Sequence, residues 1–104
     1  MTTSRAQDRG GLVAVTPTDR PKYAANLKEL LAPGGKLLLV AVEHEPSFGP
    51  PHSLSEAEVR ALLGDAFEVK VLGREDKMAV EPVWKARGAT SFDEVTYLCT
   101  RRAR

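Results

Sequence analysis

The 104-residue sequence lacks the features that mark disulfide-rich, membrane-spanning and nucleic-acid-binding proteins. Cys99 is its only cysteine, so no disulfide can form within the chain. Its longest apolar run, Leu37–Val42, is far shorter than the roughly 20 residues that cross a bilayer. Fifteen basic and fourteen acidic residues leave a net charge of +1, which offers no electrostatic footprint for nucleic acid or a membrane surface.

The N-terminus contains no apolar signal core, which together with the single cysteine favours a cytoplasmic protein. At this length the chain is expected to form one domain, residues 1–104, that can bury a hydrophobic core. Residues 1–7 are predicted to be disordered, because Ser4-Arg5-Ala6-Gln7 is a poor strand sequence. The short basic tail, residues 101–104, is expected to be solvated.

Hydrophobic periodicity predicts the order helix, strand, helix, strand, strand. The first helix is predicted from Asp19 to Leu31, and Pro33-Gly34-Gly35 ends it. The apolar run that follows, Lys36–Val42, is typical of a strand covered on both faces. This strand would need neighbours on both sides, and the rest of the chain offers them on only one.

The second helix has the strongest start signal in the sequence. Ser55 and Glu58 match the S-x-x-E capping box. Leu54 before the cap and Val59 four residues after it have the spacing of a hydrophobic staple. Gly64 is expected to end this helix.

Two further strands are predicted towards the C-terminus. Residues 67–72 begin with a strict apolar alternation, and residues 94–100 are rich in β-branched and aromatic side chains. Residues 76–91 show no clear period and are predicted to form a loop with a turn of helix. Three strands and two helices, with an antiparallel last strand, make an incomplete α/β unit, which indicates a piece of a larger fold.

Several segments, in the same order and spacing, resemble the thiopurine S-methyltransferase family. D-R-G-G-L-V-A-V-T-P (Asp8–Pro17) is similar to the D-R-[AG]-[AG]-L-V-A-[IL]-x-P segment of that family. The similarity continues through P-G-G and an aliphatic strand, G-P-P at Gly49–Pro51, the helix S-E-A-E-V-R-A-L-L-G, and E-P-V-W-K-A-R-G. It extends from about Asp8 to Leu98 and corresponds to the C-terminal half of the family.

The resemblance implies a class I S-adenosylmethionine-dependent methyltransferase fold, in which helices cover both faces of a sheet with strand order 3-2-1-4-5-7-6. Residues 36–42 would then form the fifth strand, residues 67–72 the sixth, and residues 94–100 the antiparallel seventh. The first three strands would be lacking. The expected fold class is therefore α/β, a partial Rossmann-like methyltransferase fold.

The same resemblance implies S-adenosylmethionine as co-substrate and methyl transfer to the sulfur of a small-molecule acceptor. Such folds hold the nucleoside with a glycine-rich turn after the first strand and an acidic residue ending the second. Gly10-Gly11 and Gly34-Gly35 do not have that spacing. Most of the cofactor site is therefore expected to lie outside this chain, which would be incomplete for catalysis.

By resemblance, four residues are candidate site residues. Arg9 would lie at the carboxyl end of the fourth strand, where it could bind the cofactor carboxylate or an anionic acceptor. Gly49, Pro50 and Pro51 would line the acceptor pocket. Alternatively, Arg9 is a surface arginine without a ligand, and Gly49, Pro50 and Pro51 form only a turn that joins a strand to a helix. Some family members carry an arginine near the acceptor at the position of Val83, and its absence here weakens the case for thiopurine binding.

No catalytic residue is assigned, because a thiol is already nucleophilic and alignment would supply most of the rate. His44 and His52, with the neighbouring Glu43 and Glu45, match no metal-ligand spacing. A general base is possible, but a solvated or capping role is favoured for the histidines. Two further side chains, Cys99 and Trp84, are expected to pack as hydrophobic residues.

Two other interpretations remain open at this point. The chain could be a non-catalytic, truncated or partner-dependent domain that associates with itself or with another chain through an exposed strand edge. It could also belong to a related branch of enzymes that methylate halide or thiocyanate. D-R-G-G-L favours the thiopurine-type branch.

Overall fold

The computed structural model describes residues 2–46 and 48–103. Four strands form its sheet: β1 (Thr3–Arg9), β2 (Leu31–Glu45), β3 (Phe67–Asp76) and β4 (Ser91–Arg101). Four α-helices and a 3-10 helix (Pro17–Asp19) accompany it; the α-helices are α1 (Gly11–Ala14), α2 (Arg20–Leu30), α3 (Glu56–Leu63) and α4 (Pro82–Ala86). Within these residues no helix is long and apolar enough to cross a membrane.

The strand order is β1-β2-β4-β3. β1 lies parallel to β2, whereas β4 runs antiparallel to both of its neighbours. The predicted antiparallel last strand is therefore confirmed, and it lies between two strands. β2 is longer than predicted at both ends, because it pairs with β1 from Leu31 onward and with β4 as far as Glu45.

One face of the sheet carries the hydrophobic core. Leu37, Leu39 and Ala41 alternate along β2 with no exposed surface, and each lies opposite an equally buried residue of β4. Apolar residues of α2 and α3, Leu27 and Leu63 among them, complete this core. The hydrophobic effect stabilises the packed layer, at about 25 cal/mol per Å² of apolar surface removed from water.

The opposite face of β2 is covered unevenly. Val40 and Val42 are buried near its carboxyl end. Leu38 and its β4 partner Leu98 are only partly buried. The prediction of a strand covered on both faces is therefore correct for the helix side and only partly correct for the other.

The second helix begins as predicted. Ser55 Oγ accepts a 3.2 Å hydrogen bond from the amide of Glu58, whose carboxylate accepts one of 3.0 Å from the amide of Ser55. This reciprocal pair is a capping box, and it satisfies two amides that the first turn of a helix leaves without partners. Leu54 and Val59 of the staple are both fully buried.

The prediction that residues 1–7 are disordered is wrong for the part that the structure describes. Thr3–Arg9 forms β1, with Ala6 opposite Leu37 and Asp8 opposite Leu39. Asp8 is the only buried residue of this strand. An edge strand is stabilised by backbone hydrogen bonds to one neighbour, which an apolar pattern cannot reveal. Met1 lies outside the described residues.

Candidate functional site

A cavity of about 180 Å³ opens beside the carboxyl ends of the parallel strands β1 and β2. Its floor is formed by Val40 and Val42, on the face of the sheet opposite the helix-covered core. Residues from the end of β1, the segment after β2, the region around α4 and the start of β4 complete the lining: Arg9, Gly10, Val13, Pro51, Lys77, Glu81, Trp84, Phe92 and Glu94.

A larger depression, of about 430 Å³, is lined by Glu68 and the C-terminal residues 100–103. Its arginines already donate hydrogen bonds to backbone carbonyls: Arg101 to Lys28 and Ala66, and Arg102 to Gly64. It contains none of the predicted site residues. The smaller cavity is therefore the better candidate for a functional site.

Arg9 is oriented by the residue before it. Asp8 points to the core face of the sheet, where its Oδ1 accepts hydrogen bonds from the amides of Gly11 (2.8 Å) and Leu12 (3.3 Å). Gly10, with a φ of 100°, provides the left-handed turn between strand and helix that favours glycine. Arg9 therefore lies on the opposite face, at the cavity.

The guanidinium group of Arg9 remains available to a ligand. Its side chain is 63% exposed, and the nearest carboxylate oxygen, of Glu94, is 3.8 Å away. Exposed ion pairs of this length contribute little, at most about 1 kcal/mol. An anionic group entering the cavity could therefore replace Glu94 as the partner of Arg9 at little cost.

Tyr23 of α2 completes the support of this strand end. Its hydroxyl donates a 2.8 Å hydrogen bond to the second oxygen of Asp8. Burial raises the pKa of Tyr23 to about 12, and the hydrogen bond to Asp8 and the negative charge of that residue act in the same direction. The phenol consequently stays protonated and donating throughout the neutral pH range.

Of the three residues predicted to line the acceptor pocket, only Pro51 lines the cavity. Pro50 contributes its carbonyl oxygen, which accepts a 3.1 Å hydrogen bond from Arg87. Gly49 lies against the imidazole of His52, and a Cβ at position 49 would overlap that ring. Pro51 is thus the part of this segment at the cavity, while Gly49 and Pro50 are exposed to solvent.

Trp84 packs against its neighbours, as expected, and it also lines the cavity. Its indole stacks on Phe92 with ring centroids 4.1 Å apart, and its Nε1 donates a 3.0 Å hydrogen bond to Glu81. Val83 is 51% exposed and does not line the cavity. The sequence signal for this wall was E-P-V-W, where Pro82 begins α4 and Trp84 follows two residues later.

Sequence reasoning identified Arg9 but missed the other charged residues of the cavity rim: Lys77, Glu81 and Glu94. The ammonium of Lys77 lies 2.7 Å from Glu75 and 3.5 Å from Glu81. The hydrogen bond to Glu75 is the main reason why the pKa of Lys77 is raised. Together with Arg9 and Glu94, these groups give the rim a mixed charge above an apolar floor. Lys77 and Glu81 lie in a segment without periodicity, and Glu94 lies in a predicted strand, so no sequence pattern marked these three residues as part of a site.

Neither histidine lines the cavity. His44 is only 3% exposed, so the expectation of a solvated role is wrong for this residue. Glu43, its neighbour in β2, forms an ion pair of 2.8 Å with Arg74. Among residues 2–46 and 48–103, no group of three or more His, Cys, Asp or Glu side chains is arranged to hold a metal ion.

Cys99 packs in the core, as expected of a small hydrophobic residue. It has no exposed surface, and burial raises the pKa of its thiol to about 11. A thiol in this state is a poor nucleophile at neutral pH. It therefore contributes to packing and has no part in the candidate site.

The arrangement of the sheet defines the class of fold. The structure is similar to that of an arsenic(III) S-adenosylmethionine methyltransferase from Chlamydomonas reinhardtii, with a TM-score of 0.69 and 14% sequence identity. The match covers 97% of this chain and 38% of that one. The chain therefore has part of the Rossmann-like fold of S-adenosylmethionine methyltransferases, as predicted.

Sequence comparisons identify the family within that class. The family model described as thiopurine S-methyltransferase (TPMT) matches residues 3–102. The rat thiopurine S-methyltransferase is 38% identical over 100 residues, which are 94% of this chain and 41% of that protein. For the Pseudomonas fluorescens (strain Pf0-1) thiopurine S-methyltransferase the identity is 35% over 92 residues, 86% of this chain and 42% of that protein.

The chain belongs to the thiopurine S-methyltransferase family. It spans about two fifths of the length of these relatives.

Proposed function

We propose that the chain is the acceptor-side part of an S-adenosylmethionine-dependent methyltransferase that acts on the sulfur of a small molecule. One observation carries this proposal. Arg9 of the D-R-G-G motif and Pro51 of the G-P-P motif, far apart in sequence, line the same cavity at the carboxyl ends of adjacent strands. Open α/β sheets bind their ligands at that edge.

The lining of the cavity suits a flat, sulfur-containing acceptor with some negative charge. Val40, Val42 and the indole of Trp84 would exclude water from its apolar body. Arg9 would bind a carboxylate or a thiolate, because its guanidinium group is a planar multiple donor. Holding the sulfur in line with a methyl donor can by itself lower the barrier by about 7–11 kcal/mol.

The residues of this chain could form only part of the binding site for the methyl donor, S-adenosylmethionine. Within the described residues, Arg9 and Gly10 are the groups at the strand end that could meet the cofactor, and no glycine-rich turn follows a strand elsewhere. S-adenosylmethionine would supply the methyl group when bound, with S-adenosylhomocysteine as the leaving product. We therefore propose that the chain alone is incomplete for catalysis. A cytoplasmic location remains a prediction of the sequence.

A chimera tests this function directly. The part of the Pseudomonas fluorescens relative that this chain does not match would be fused to residues 3–103, and calorimetric unfolding would show that it folds. Transfer of labelled methyl from S-adenosylmethionine to 6-mercaptopurine and to thiophenol is the readout, with iodide and thiocyanate as the alternative acceptors. We expect methylation of an organic thiol and no micromolar cofactor binding by the chain alone.

Matched variants locate the effect in the cavity. Arg9→Gln should lower kcat/KM of the chimera about tenfold, which corresponds to about 1.4 kcal/mol of transition-state stabilisation. Arg5→Gln, an exposed arginine of the same strand outside the cavity, should change it less than twofold. Equal effects of the two variants, or a folded chimera that methylates none of the acceptors, would contradict the proposal.

A second candidate function is that of a partner-dependent, non-catalytic domain. In the described sheet β1 pairs only with β2, so its outer edge offers unpaired backbone groups to another strand. Leu38 and Leu98 on the less covered face could be buried at the same time. Light scattering over a range of concentrations should then show association, and Leu98→Lys should weaken it. A monomer at all concentrations would argue against this candidate.

A further inference from the structure

His44 occupies a site that the proposed function does not use. Its imidazole is stacked between two phenyl rings, with ring centroids 4.0 Å from Phe48 and 5.3 Å from Phe92. Its Nδ1 lies 3.0 Å from the carbonyl oxygen of Pro46, and its Nε2 lies 2.8 Å from that of Pro51. Both distances are those of good hydrogen bonds.

Both partners of this ring are acceptors. A neutral imidazole carries one N–H donor and one lone pair, so it can satisfy only one carbonyl and must turn its lone pair towards the other. The imidazolium form carries two N–H groups and satisfies both. The aromatic faces on either side also favour a positive ring through cation–π attraction. The contacts of His44 therefore fit the charged form better than the neutral one.

The ring also joins two walls of the cavity. Pro51, whose carbonyl it binds, lines the cavity. Phe92, on which it stacks, lies in turn against Trp84 of the facing wall. A change in the position of His44 would therefore displace residues on both sides of the cavity in which the acceptor would lie.

We propose that His44, in its imidazolium form, is a positioning residue that binds the carbonyls of Pro46 and Pro51 to the end of β2 and so sets the shape of the acceptor cavity. Its effect on methyl transfer rests on the proposed function. The two hydrogen bonds from the ring N–H groups to the two carbonyls do not depend on the proposed function. They are a property of this chain and can be measured without cofactor or acceptor.

The charges around His44 come from several elements. Glu43 and Glu45 of β2 and Asp93 of β4 leave their strands on the opposite face from His44, where Arg74 of β3 pairs with Glu43 and Asp93. Glu58 of α3 pairs with Arg20 of α2, and the guanidinium group of Arg87 lies 4.9 Å from the ring centroid of Phe48. These carboxylates are mostly paired with arginines, so the two carbonyl acceptors are what favour the imidazolium form of His44. Both hydrogen bonds are then present at acidic pH, and one is lost as the pH rises and a proton leaves the ring. We therefore expect the Pro51 side of the cavity to become more mobile as the pH rises.

Nitrogen-15 NMR of the histidine rings tests for these two hydrogen bonds in the unmodified chain. At about pH 6 we expect both ring nitrogens of His44 to show the shifts of protonated nitrogen, and one of them to change as the pH is raised. His52, the only other histidine, serves as internal reference. A His44 ring with one unprotonated nitrogen at pH 6 would overturn the proposal, and this measurement requires no variant to fold.

The fluorescence of Trp84, the only tryptophan, reports on the facing wall. We expect a pH-dependent change in the unmodified chain and in His52→Gln, and its loss in His44→Gln. The same titration in His44→Gln, or its loss in His52→Gln, would contradict the assignment to His44. A chimera that fails to methylate any acceptor would remove the functional role and leave these two results unaffected, so the two failures are distinguishable.

Discussion

The carboxylate of Asp8 and the phenol of Tyr23 are joined by a 2.8 Å hydrogen bond that links the end of β1 to α2. The second oxygen of the same carboxylate binds the amide that begins α1. Arg9 follows directly and faces the cavity. The position of the candidate ligand-binding arginine therefore depends on a tyrosine on the far side of the sheet.

Replacing Tyr23 with phenylalanine should destabilise the fold. The variant loses a hydrogen bond to a charged group and leaves one oxygen of a buried carboxylate without its donor, which costs about 1.5–3 kcal/mol. Urea unfolding with linear extrapolation would measure the change as a lower midpoint at an unchanged slope.

The other tyrosine provides the control for this experiment. Tyr97 is fully buried, and its hydroxyl has no hydrogen-bond partner within the described residues. Tyr97→Phe removes an unsatisfied polar atom at nearly constant volume, so it should be neutral or stabilising. A loss of stability as large as that of Tyr23→Phe would show that the hydroxyl of Tyr23 has no special role.

Both tyrosines should ionise only at high pH in the folded protein. Burial is the main reason why the pKa values of Tyr23 and Tyr97 are each raised to about 12. A pKa that is higher in the folded than in the unfolded chain gives stability that is complete below about pH 10 and is lost as the pH rises towards 12. The phenolate absorbance should therefore appear above pH 10 in buffer and near pH 10 in urea. Coincident titrations would contradict the burial of both hydroxyls.

The capping box of α3 offers a local test. Ser55→Ala removes the acceptor for the amide of Glu58, and loss of such a cap costs about 1 kcal/mol. Ser91→Ala, at an exposed serine in β4, should lie within about 0.5 kcal/mol of the unmodified chain. Thermal unfolding would compare the two, with about 4–8 °C expected per kcal/mol for a domain of this size. Equal midpoints would show that α3 does not depend on its cap.

Local patterns were sufficient to predict the elements whose signals lie within their own sequence. The capping box, the apolar run of β2 and the β-branched β4 are of this kind. β1 was missed because its only buried side chain is the aspartate at position 8, and its strand geometry comes from pairing with β2. A strand defined by its neighbour cannot be recognised from its own apolar pattern.

The candidate site was predicted in part for the same reason. Arg9 and Pro51 were identified by family resemblance, and both line the same cavity. Their role in binding stays a prediction. The burial of His44 depends on Phe92, and the lining by Trp84 depends on the same phenyl ring. Phe92 is far from His44 in the sequence and becomes its neighbour only through the antiparallel pairing of β2 with β4. Sequence spacing does not carry that information.

The glycine of the G-P-P segment permits a close approach that a larger residue would prevent. A Cβ at Gly49 would overlap the imidazole of His52, whereas one at Gly73 in β3 would meet no atom within 4 Å. Gly49→Ala should therefore displace the ring of His52 and cost about 1 kcal/mol. Gly73→Ala should be neutral or slightly stabilising, because alanine loses less backbone entropy than glycine on folding.

A double-mutant cycle separates this overlap from other effects at Gly49. Gly49→Ala combined with His52→Ala removes the ring that the new methyl group would strike, so most of the lost stability should return. A coupling energy of at least about 0.5 kcal/mol is expected for residues in direct contact. Urea unfolding, followed by the fluorescence of Trp84, gives the energies. Additive losses would mean that Gly49 is required for its backbone conformation and not for the approach of His52.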